Sequence, residues 1–215
     1  MADRSVTKDS IPVKKTHLAL IRFFDIILSV LALFVLCPIL CLIAILIRLD
    51  SNGPVFFMQD RVGLEGKLFK IYKFRTMRPQ EAPAKLEYKR NAQGRVEPVI
   101  KVRDNSRVTR AGFFLRKYSL DELPQFINIL KGEMSLVGTR PPVPEEVDGY
   151  SAQQRGRLHG KPGLTGLAQI NGCSDMEFNR IVQFDVYYIR HRTIWLYFKI
   201  LILTVPFFLS GKGSF

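Results

Sequence analysis

The sequence has few cysteines, and their placement excludes two common roles. Three cysteines occur in 215 residues, and two of them lie in an apolar run. No Cys-x-x-Cys pair exists and the number is odd, so neither a disulfide framework nor a zinc site is expected. The cysteine usage fits a reducing compartment. The three residues are Cys37, Cys41 and Cys173.

Acidic residues are also scarce. The chain has 19 Asp or Glu against 32 Lys or Arg, a formal net charge of +13. Residues 61–117 alone hold 16 basic and 5 acidic side chains, a net +11. A concentrated positive field indicates phosphate-bearing partners such as nucleic acid, anionic lipid or nucleotide-like substrates. The alternative is a solubilising surface, but such surfaces usually mix both signs. With 47% apolar and 24% charged residues, wholesale disorder is not expected.

Charge is absent altogether from residues 26–47, which read "IILSVLALFVLCPILCLIAILI". A straight helix over these 22 residues would be roughly 33 Å long, enough to cross a bilayer core. A secretory signal peptide fits poorly, because no small-residue cleavage pattern follows the run.

Two features favour a re-entrant hairpin over a spanning helix, which remains the alternative. Pro38 lies near the middle of the run, where it removes a helical hydrogen bond. Both flanks are basic, and the positive-inside tendency would keep both on the cytoplasmic side. A helix bent at Pro38 satisfies both observations. The flanking cations are Lys14, Lys15 and Arg22 before the run, and Arg48, Arg61, Lys67, Lys70 and Lys73 after it.

The remaining segments predict a mixed polar domain. Residues 55–74 mix aromatic and branched residues with a Gly-rich turn, which predicts a short β-hairpin. Residues 79–105 form a polar loop that is either a lid or disordered. Residues 175–191 show a helical stripe that includes Asp185, an inward acid that needs a basic partner. A second apolar stretch at 194–209 carries Trp195 and Lys199 and suits a membrane interface, with a buried helix as the alternative.

Two adjacent acids stand within this basic field, in "RKYSLDELPQFINIL". One interpretation is structural, because Ser119 and Glu122 have the spacing of a capping box. The other is chemical, since Asp121 and Glu122 beside Arg116 are the ingredients of a magnesium–phosphate site. A carboxylate can also attack phosphorus directly.

Three motifs carry a family resemblance. They are "KFRTM" at 73–77, "YSLDELPQFINILKGEMSLVGTRP" at 118–141 and "KPGLTGLAQING" at 161–172, after an apolar segment with a central proline. In this order they closely resemble the bacterial monotopic phosphoglycosyl transferases, the polyprenyl-phosphate sugar-1-phosphate transferases. The resemblance covers residues 17–200, and the length matches the family's minimal catalytic unit.

The resemblance implies a reaction and its central residues. The family moves a sugar phosphate from a UDP-sugar to undecaprenyl or another polyprenyl phosphate and releases UMP, by a ping-pong route through a covalent aspartyl-phosphosugar. This would be the first membrane step in building O-antigen, capsule, exopolysaccharide or glycoprotein glycans. By motif, Asp121 would be the nucleophile. Glu122 would hold Mg²⁺, or Mn²⁺ in its place, together with Asp121.

Four cations are implied as phosphate-binding residues: Arg116 before the acids, Arg140 in "GTRPP", and Lys73 and Arg75 in "KFRTM". Two positions depart from the family pattern. The membrane bend would fall at Cys37-Pro38 instead of Ser-Pro, and Thr139 replaces the first proline of Gly-Pro-Arg-Pro.

The expected fold is therefore α+β and membrane-associated, with a re-entrant helix bent at Cys37-Pro38, a mostly helical cytoplasmic domain containing a short β-hairpin, and interfacial helices. Its parts would be a tail at 1–17, the re-entrant helix–break–helix at 18–50, the catalytic domain at 51–193, and an interfacial helix and tail at 194–215. The expected location is the cytoplasmic face of the bacterial inner membrane, in contact with its phospholipid. No nucleic-acid partner is expected, and a homodimer is one expected assembly.

Two other classes of protein account for part of the pattern. A membrane-tethered binder of nucleic acid or anionic lipid would explain the basic field, but no nucleic-acid motif is recognised and "LDEL" is left unexplained. A membrane adaptor with a spanning helix would explain the apolar run alone.

Overall fold

The computed structural model describes residues 14–79, 107–172 and 176–209, and the backbone of two short strands between them. The expected terminal tails lie largely outside the described residues, as does most of the loop at 79–105. The helices are α1 Lys15–Asp50, α2 Arg110–Lys117, α3 Phe126–Lys131, α4 Pro144–Asp148, α5 Ala152–Arg155, α6 Leu167–Ile170, α7 Phe178–His191 and α8 Ile194–Leu209. The strands are β1 Phe56–Val62, β2 Leu68–Phe74, β3 Tyr88–Arg90, β4 Val96–Pro98, β5 Ser135–Val137 and β6 Gly163–Thr165. The predicted α+β class is confirmed.

Helix α1 is long and mostly uncovered. It has 36 residues, and only 11% of its most apolar 18-residue window is buried. It is the single helix among the described residues that is long and apolar enough to cross a membrane. The chain stays helical through Cys37 and Pro38, so a bend at this pair would be a kink within one helix. The exposed apolar surface fits membrane association.

Both arms of α1 pack against the same domain. On the first arm, Ile21 is buried in the main core and Asp25 accepts hydrogen bonds from the Ser135 hydroxyl, the Leu136 amide and the Tyr197 hydroxyl at 2.9–3.0 Å. On the second arm, a separate cluster contains Ile43, Ile47, Phe74 and Leu115. The domain therefore contacts α1 on both sides of Pro38.

The predicted hairpin is confirmed. Strands β1 and β2 pair antiparallel from Phe56 opposite Phe74 to Val62 opposite Leu68, joined by a short 3₁₀ turn, Leu64–Gly66. The last residue of β2, Phe74, packs on α1, and the chain then continues into "RTM". Strands β3 and β4 form a second, smaller antiparallel pair.

The main core joins elements that are far apart in sequence. Strands β5 and β6 pair in parallel, with Ser135 opposite Gly163 and Val137 opposite Thr165. Helices α1, α3, α7 and α8 and strand β2 close around this pair. The buried apolar residues of this core are Ile21, Phe69, Ile71, Ile129, Met134, Leu136, Val137, Tyr188, Tyr197 and Ile200.

Helix α7 carries the predicted inward acid, and the expected basic partner is found. Asp185 is 3% exposed and accepts a 2.8 Å hydrogen bond from Nε of Arg157. The Arg157 guanidinium also donates to the Tyr150 hydroxyl at 2.7 Å and lies within 3.4 Å of Glu146. We call Asp185, Arg157, Tyr150 and Glu146 the buried network. It joins α7 to α4, because the buried charges must be paired.

Candidate functional site

The two adjacent acids lie on a short 3₁₀ helix, Leu120–Gln125, between α2 and α3. The capping-box interpretation of Ser119 is wrong. Ser119 has a left-handed backbone (φ 52°) and its side chain makes no capping hydrogen bond. A capping serine needs extended dihedrals, whereas Ser119 reverses the chain: its amide donates to the Arg116 carbonyl and its carbonyl accepts from the Glu122 amide.

The centre of the site is a cluster of two carboxylates and one ammonium group. Lys73 Nζ lies 2.6 Å from Glu122 Oε1 and 4.0 Å from Asp121 Oδ2. The Asp121 side chain is 13% exposed and that of Glu122 is 30% exposed. Strand β2 supplies Lys73 because it packs directly against the 3₁₀ helix. The predicted trio of Lys73, Asp121 and Glu122 is thus brought together.

The two carboxylates have opposite pKa shifts. Burial raises the pKa of Asp121 to about 6, and the Glu122 charge adds to the rise, although Lys73 and Arg116 oppose it. Burial also acts on Glu122, but Lys73, Arg140 and Arg61 together hold its pKa below the usual range. Neighbouring acids with separated pKa values are typical of sites where two carboxylates have different tasks.

Arg116 reaches the cluster through a tight contact between α2 and "KFRTM". Its Nε donates to the Thr76 hydroxyl at 2.8 Å, and its charge lowers the pKa of Asp121. Helix α2 can approach because residue 112 is glycine: a Cβ there would lie 2.0 Å from the Thr76 carbonyl oxygen. Thr109 begins the helix by accepting a hydrogen bond from the Gly112 amide. Gly112 thereby sets how near Arg116 lies to Asp121.

Two further arginines act on the charge of Glu122. Arg140, in the exposed part of "GTRPP", lowers the pKa of Glu122 by its charge. Arg61 of β1 does the same, and donates to the Pro141 carbonyl at 3.0 Å. Arg140 was predicted, but Arg61 was not assigned a site role. The pairing of the hairpin strands indicates this role. Phe57 lies opposite Lys73, and Phe69 lies opposite Arg61, so Lys73 and Arg61 project from the same face of the hairpin.

The structure places Arg75 apart from this group. Arg75 as a whole residue is 6% exposed. Its guanidinium donates to the carbonyls of Ile47, Ser51 and Asn52 at the end of α1. Carbonyls at a helix C-terminus lack intrahelical partners, and an arginine can satisfy them. Arg75 therefore joins the end of α1 to the "KFRTM" segment, whereas Lys73 contacts the carboxylates and Thr76 contacts Arg116.

The carboxylate pair fits a divalent cation shared with substrate. No group of three or more His, Cys, Asp or Glu side chains forms a complete metal site in the described parts of the chain. Mg²⁺ commonly takes one or two carboxylates and completes its shell with water and phosphate oxygens. Asp121 and Glu122 can provide that pair of ligands, since both are partly accessible and Glu122 is ionised.

The chain matches a family of known proteins over most of its length. The family described as bacterial sugar transferase matches residues 16–211. The chain is 43% identical to the galactosyl transferase CpsE of Streptococcus agalactiae over 202 residues, which cover 94% of this chain and 44% of that protein. It is 37% identical to the exopolysaccharide production protein ExoY of Sinorhizobium fredii over 197 residues, 90% of this chain and 87% of that one.

A third relative is the UDP-glucose:undecaprenyl-phosphate glucose-1-phosphate transferase of Escherichia coli. It is 40% identical over 203 residues, 90% of this chain and 41% of that protein. The chain thus spans less than half the length of two of these relatives and most of the length of ExoY. Since the family match covers nearly every described element, the chain belongs to the bacterial sugar transferase family.

Proposed function

We propose that this chain transfers a sugar 1-phosphate from a UDP-sugar to undecaprenyl phosphate or a related polyprenyl phosphate. The observation that carries the proposal is the pairing of Asp121, whose pKa is raised to about 6, with an ionised Glu122 inside a cluster of cations. The names of the relatives supply the substrates: one is a galactosyl transferase, and another moves glucose 1-phosphate from UDP-glucose to undecaprenyl phosphate.

The proposed chemistry has two displacements at one phosphorus. A carboxylate oxygen of Asp121 bonds to the phosphorus that carries the sugar, and the bond from that phosphorus to the UMP oxygen breaks. UMP leaves, and Asp121 holds the phosphosugar as an acyl phosphate. A phosphate oxygen of the lipid acceptor then attacks the same phosphorus, which breaks the acyl phosphate and restores the Asp121 carboxylate.

The surrounding residues have separate tasks in this scheme. Arg116 and Arg140 bind the phosphate oxygens of donor and acceptor, whose negative charges would otherwise repel an anionic nucleophile. Lys73 holds Glu122 in its ionised form through the 2.6 Å contact and lowers the pKa of Asp121. A Mg²⁺ ion bound by Asp121 and Glu122 would supply positive charge to the pyrophosphate. Asp121 must be deprotonated to act, so the raised pKa predicts a loss of rate below pH 6.

The packing of α1 supports a proposal for the membrane arrangement. The domain contacts α1 both at Ile21 and Asp25 and at Ile43 and Ile47, which favours a placement of both halves of the helix on one side of the bilayer. We propose a re-entrant α1 kinked at Cys37-Pro38, with the catalytic domain on the cytoplasmic face of the inner membrane. Helix α8, with Trp195 exposed, would lie at the interface beside it. This position brings the carboxylates to the depth of the acceptor phosphate.

A UMP-release assay tests the reaction. The purified chain is incubated with Mg²⁺ and a panel of UDP-sugars, including UDP-galactose and UDP-glucose, with and without undecaprenyl phosphate. A productive donor should release about one UMP per enzyme without acceptor, and continuous UMP with it. Mass spectrometry should then find the phosphosugar on the peptide that contains Asp121. Absence of UMP with every donor would overturn the proposal, and UMP release only when the acceptor is present would exclude the covalent route.

Cysteine labelling tests the topology. In a cysteine-free background, Ser5→Cys and Lys67→Cys flank α1 on its two sides. A membrane-impermeant maleimide added to intact inverted vesicles should label both positions equally. Labelling of one position from inside and the other from outside would require α1 to span the membrane.

A further inference from the structure

A groove of about 660 Å³ lies between α6, α7 and α8, away from the carboxylates. The side chains that α7 contributes lie along one face of the helix, from Arg180 to Tyr187. Helix α8 contributes a similar row of side chains from Leu196 to Leu203. Ile170 of α6 also lines the groove. None of the residues lining the groove belongs to the Asp121 cluster, so the proposed reaction does not account for it.

The lining of the groove is apolar apart from two cations and two amides. Arg180 and Lys199 are the charged side chains of the lining, and no acid accompanies them. Both are exposed, and neither has a side-chain hydrogen bond or ion pair with any residue in the described part of the chain. Surface cations of a stable fold can remain solvated, but two of them beside an apolar channel are complementary to an amphiphile with an anionic head.

The groove opens beside a surface that is itself suited to lipid. On α8, Trp195 is 82% exposed, Ile202 is 70% exposed and Val205 is 58% exposed. These side chains share the helix with Lys199 and Leu203 of the groove wall. An amphiphile can therefore pass from a bilayer at α8 into the groove without crossing water. A soluble phosphate compound would gain nothing from this apolar route.

We propose that this groove binds one anionic phospholipid of the membrane, with an acyl chain between α7 and α8 and its phosphate at Arg180 and Lys199. The volume lies within the range of small-molecule sites and is large enough for a single lipid chain. The bound lipid would hold α8 against the bilayer. This inference goes beyond sugar-phosphate transfer and stands whether or not that activity is found.

Native mass spectrometry of the full chain tests the proposal. The protein in a non-ionic detergent is titrated with phosphatidylglycerol and, separately, with phosphatidylcholine. The unmodified chain should bind one phosphatidylglycerol about tenfold more tightly than phosphatidylcholine. The double variant Arg180→Gln/Lys199→Gln removes both head-group contacts. Leu203→Trp keeps both charges and fills the apolar channel, so it separates the groove from general electrostatic attraction.

The control is Arg190→Gln/Lys67→Gln, which lowers the net charge by the same amount at two exposed positions outside the groove. Both groove variants should lose the preference, and the control should keep it, with all three melting close to the unmodified chain. Equal loss in the control, or retention in both groove variants, would overturn the proposal.

Competition distinguishes other sources of the same head group. Inorganic phosphate in excess should leave phosphatidylglycerol bound, because it cannot fill the apolar walls. Displacement by inorganic phosphate would show that only the cations bind. Displacement by an equimolar amount of undecaprenyl phosphate would assign the groove to the acceptor lipid and overturn the phospholipid proposal.

Discussion

Two clusters of this molecule place an aspartate beside basic side chains, and they differ in how accessible the aspartate is and in its partner. Burial raises the pKa of both Asp121 and Asp185, while the nearby cations oppose the rise. The Asp185 side chain is 3% exposed, and its carboxylate accepts a 2.8 Å hydrogen bond from Arg157 Nε. Asp121 is 13% exposed, and its nearest ammonium, that of Lys73, is 4.0 Å away and bound more closely to Glu122.

The difference separates structural from chemical use of a buried charge. In the buried network every charged group already has a partner, so the arrangement joins helices and binds nothing else. In the carboxylate site Lys73 lies 2.6 Å from Glu122 and 4.0 Å from Asp121 while both acids stay partly accessible, so phosphate oxygens can approach the same cluster. A raised pKa alone would have indicated a functional role for both aspartates.

The largest effect is expected for the proposed nucleophile, Asp121. Asp121→Asn should lower turnover by about a thousandfold or more, because an amide cannot form the acyl phosphate. It should also stabilise the fold by about 1–2 kcal/mol at pH 7.5, since the folded state holds the Asp121 proton more tightly than the unfolded chain and ionisation above pH 6 costs stability. UMP release and denaturation in detergent measure the two effects.

The matched control is Asp148→Asn, which changes an exposed aspartate outside the site. It should leave turnover and stability within error of the unmodified chain. Full turnover by Asp121→Asn would remove Asp121 from the nucleophile's role.

Arg157→Gln should show the opposite pattern in the buried network. It leaves Asp185 buried without its cation, so the free energy of unfolding should fall by about 3–5 kcal/mol. Adding Asp185→Asn to this variant should recover part of the loss, because the unpaired charge is removed.

Arg190→Gln, on the exposed face of the same helix α7, is expected to change stability by less than about 0.5 kcal/mol. If Arg157→Gln were equally mild, the buried network would not contribute as described, and the comparison between the clusters would fail.

Lys73→Gln should shift the pH profile of the reaction. In the proposed reaction the unmodified chain should lose rate as the pH falls through about 6, where Asp121 takes up a proton. Because the Lys73 charge lowers the pKa of Asp121, its removal should move this acidic limb upward by about one unit.

The profile of kcat/KM against pH, measured from pH 5 to 9, checks the shift. Lys70→Gln is the control, since Lys70 lies on the same strand but pairs with exposed Asp60. An unchanged acidic limb in Lys73→Gln would mean that a group other than Asp121 controls it.

The smallest effects concern two serines with the same local pattern. Ser119 is strained at φ 52°, so Ser119→Gly should stabilise the fold by about 0.5–1 kcal/mol. Ser151 forms the capping box that was expected at Ser119, with its hydroxyl accepting from the Gln154 amide and Gln154 Oε1 accepting from the Ser151 amide.

Ser151→Ala should therefore destabilise the fold by about 1 kcal/mol. Thermal unfolding of both variants measures the contrast. Stabilisation by Ser151→Ala, or a loss in Ser119→Gly, would contradict the backbone conformations assigned to the two serines.

Local patterns predicted the local elements well. The aromatic and branched residues around a Gly-rich turn in residues 55–74 predict the hairpin. The stripe that includes Asp185 predicts α7 and a basic partner, because the repeat of a helix decides which of its side chains share a face. The pattern Ser-x-x-Glu failed at Ser119 for the converse reason. Whether a serine caps a helix depends on its φ, and Ser119, between α2 and the 3₁₀ helix, has a left-handed backbone (φ 52°).

The sequence alone determined the division of the chain into an apolar helix, a basic domain and an acidic pair, since composition and spacing decide what must leave water and what must be paired. Only the tertiary structure decided which cations meet the acids. Lys73 and Glu122 are 49 residues apart, and they touch because β2 packs on the 3₁₀ helix. The same packing turned Arg75 toward the end of α1 and brought in Arg61. Contacts of this kind depend on how elements dock, which no local repeat records.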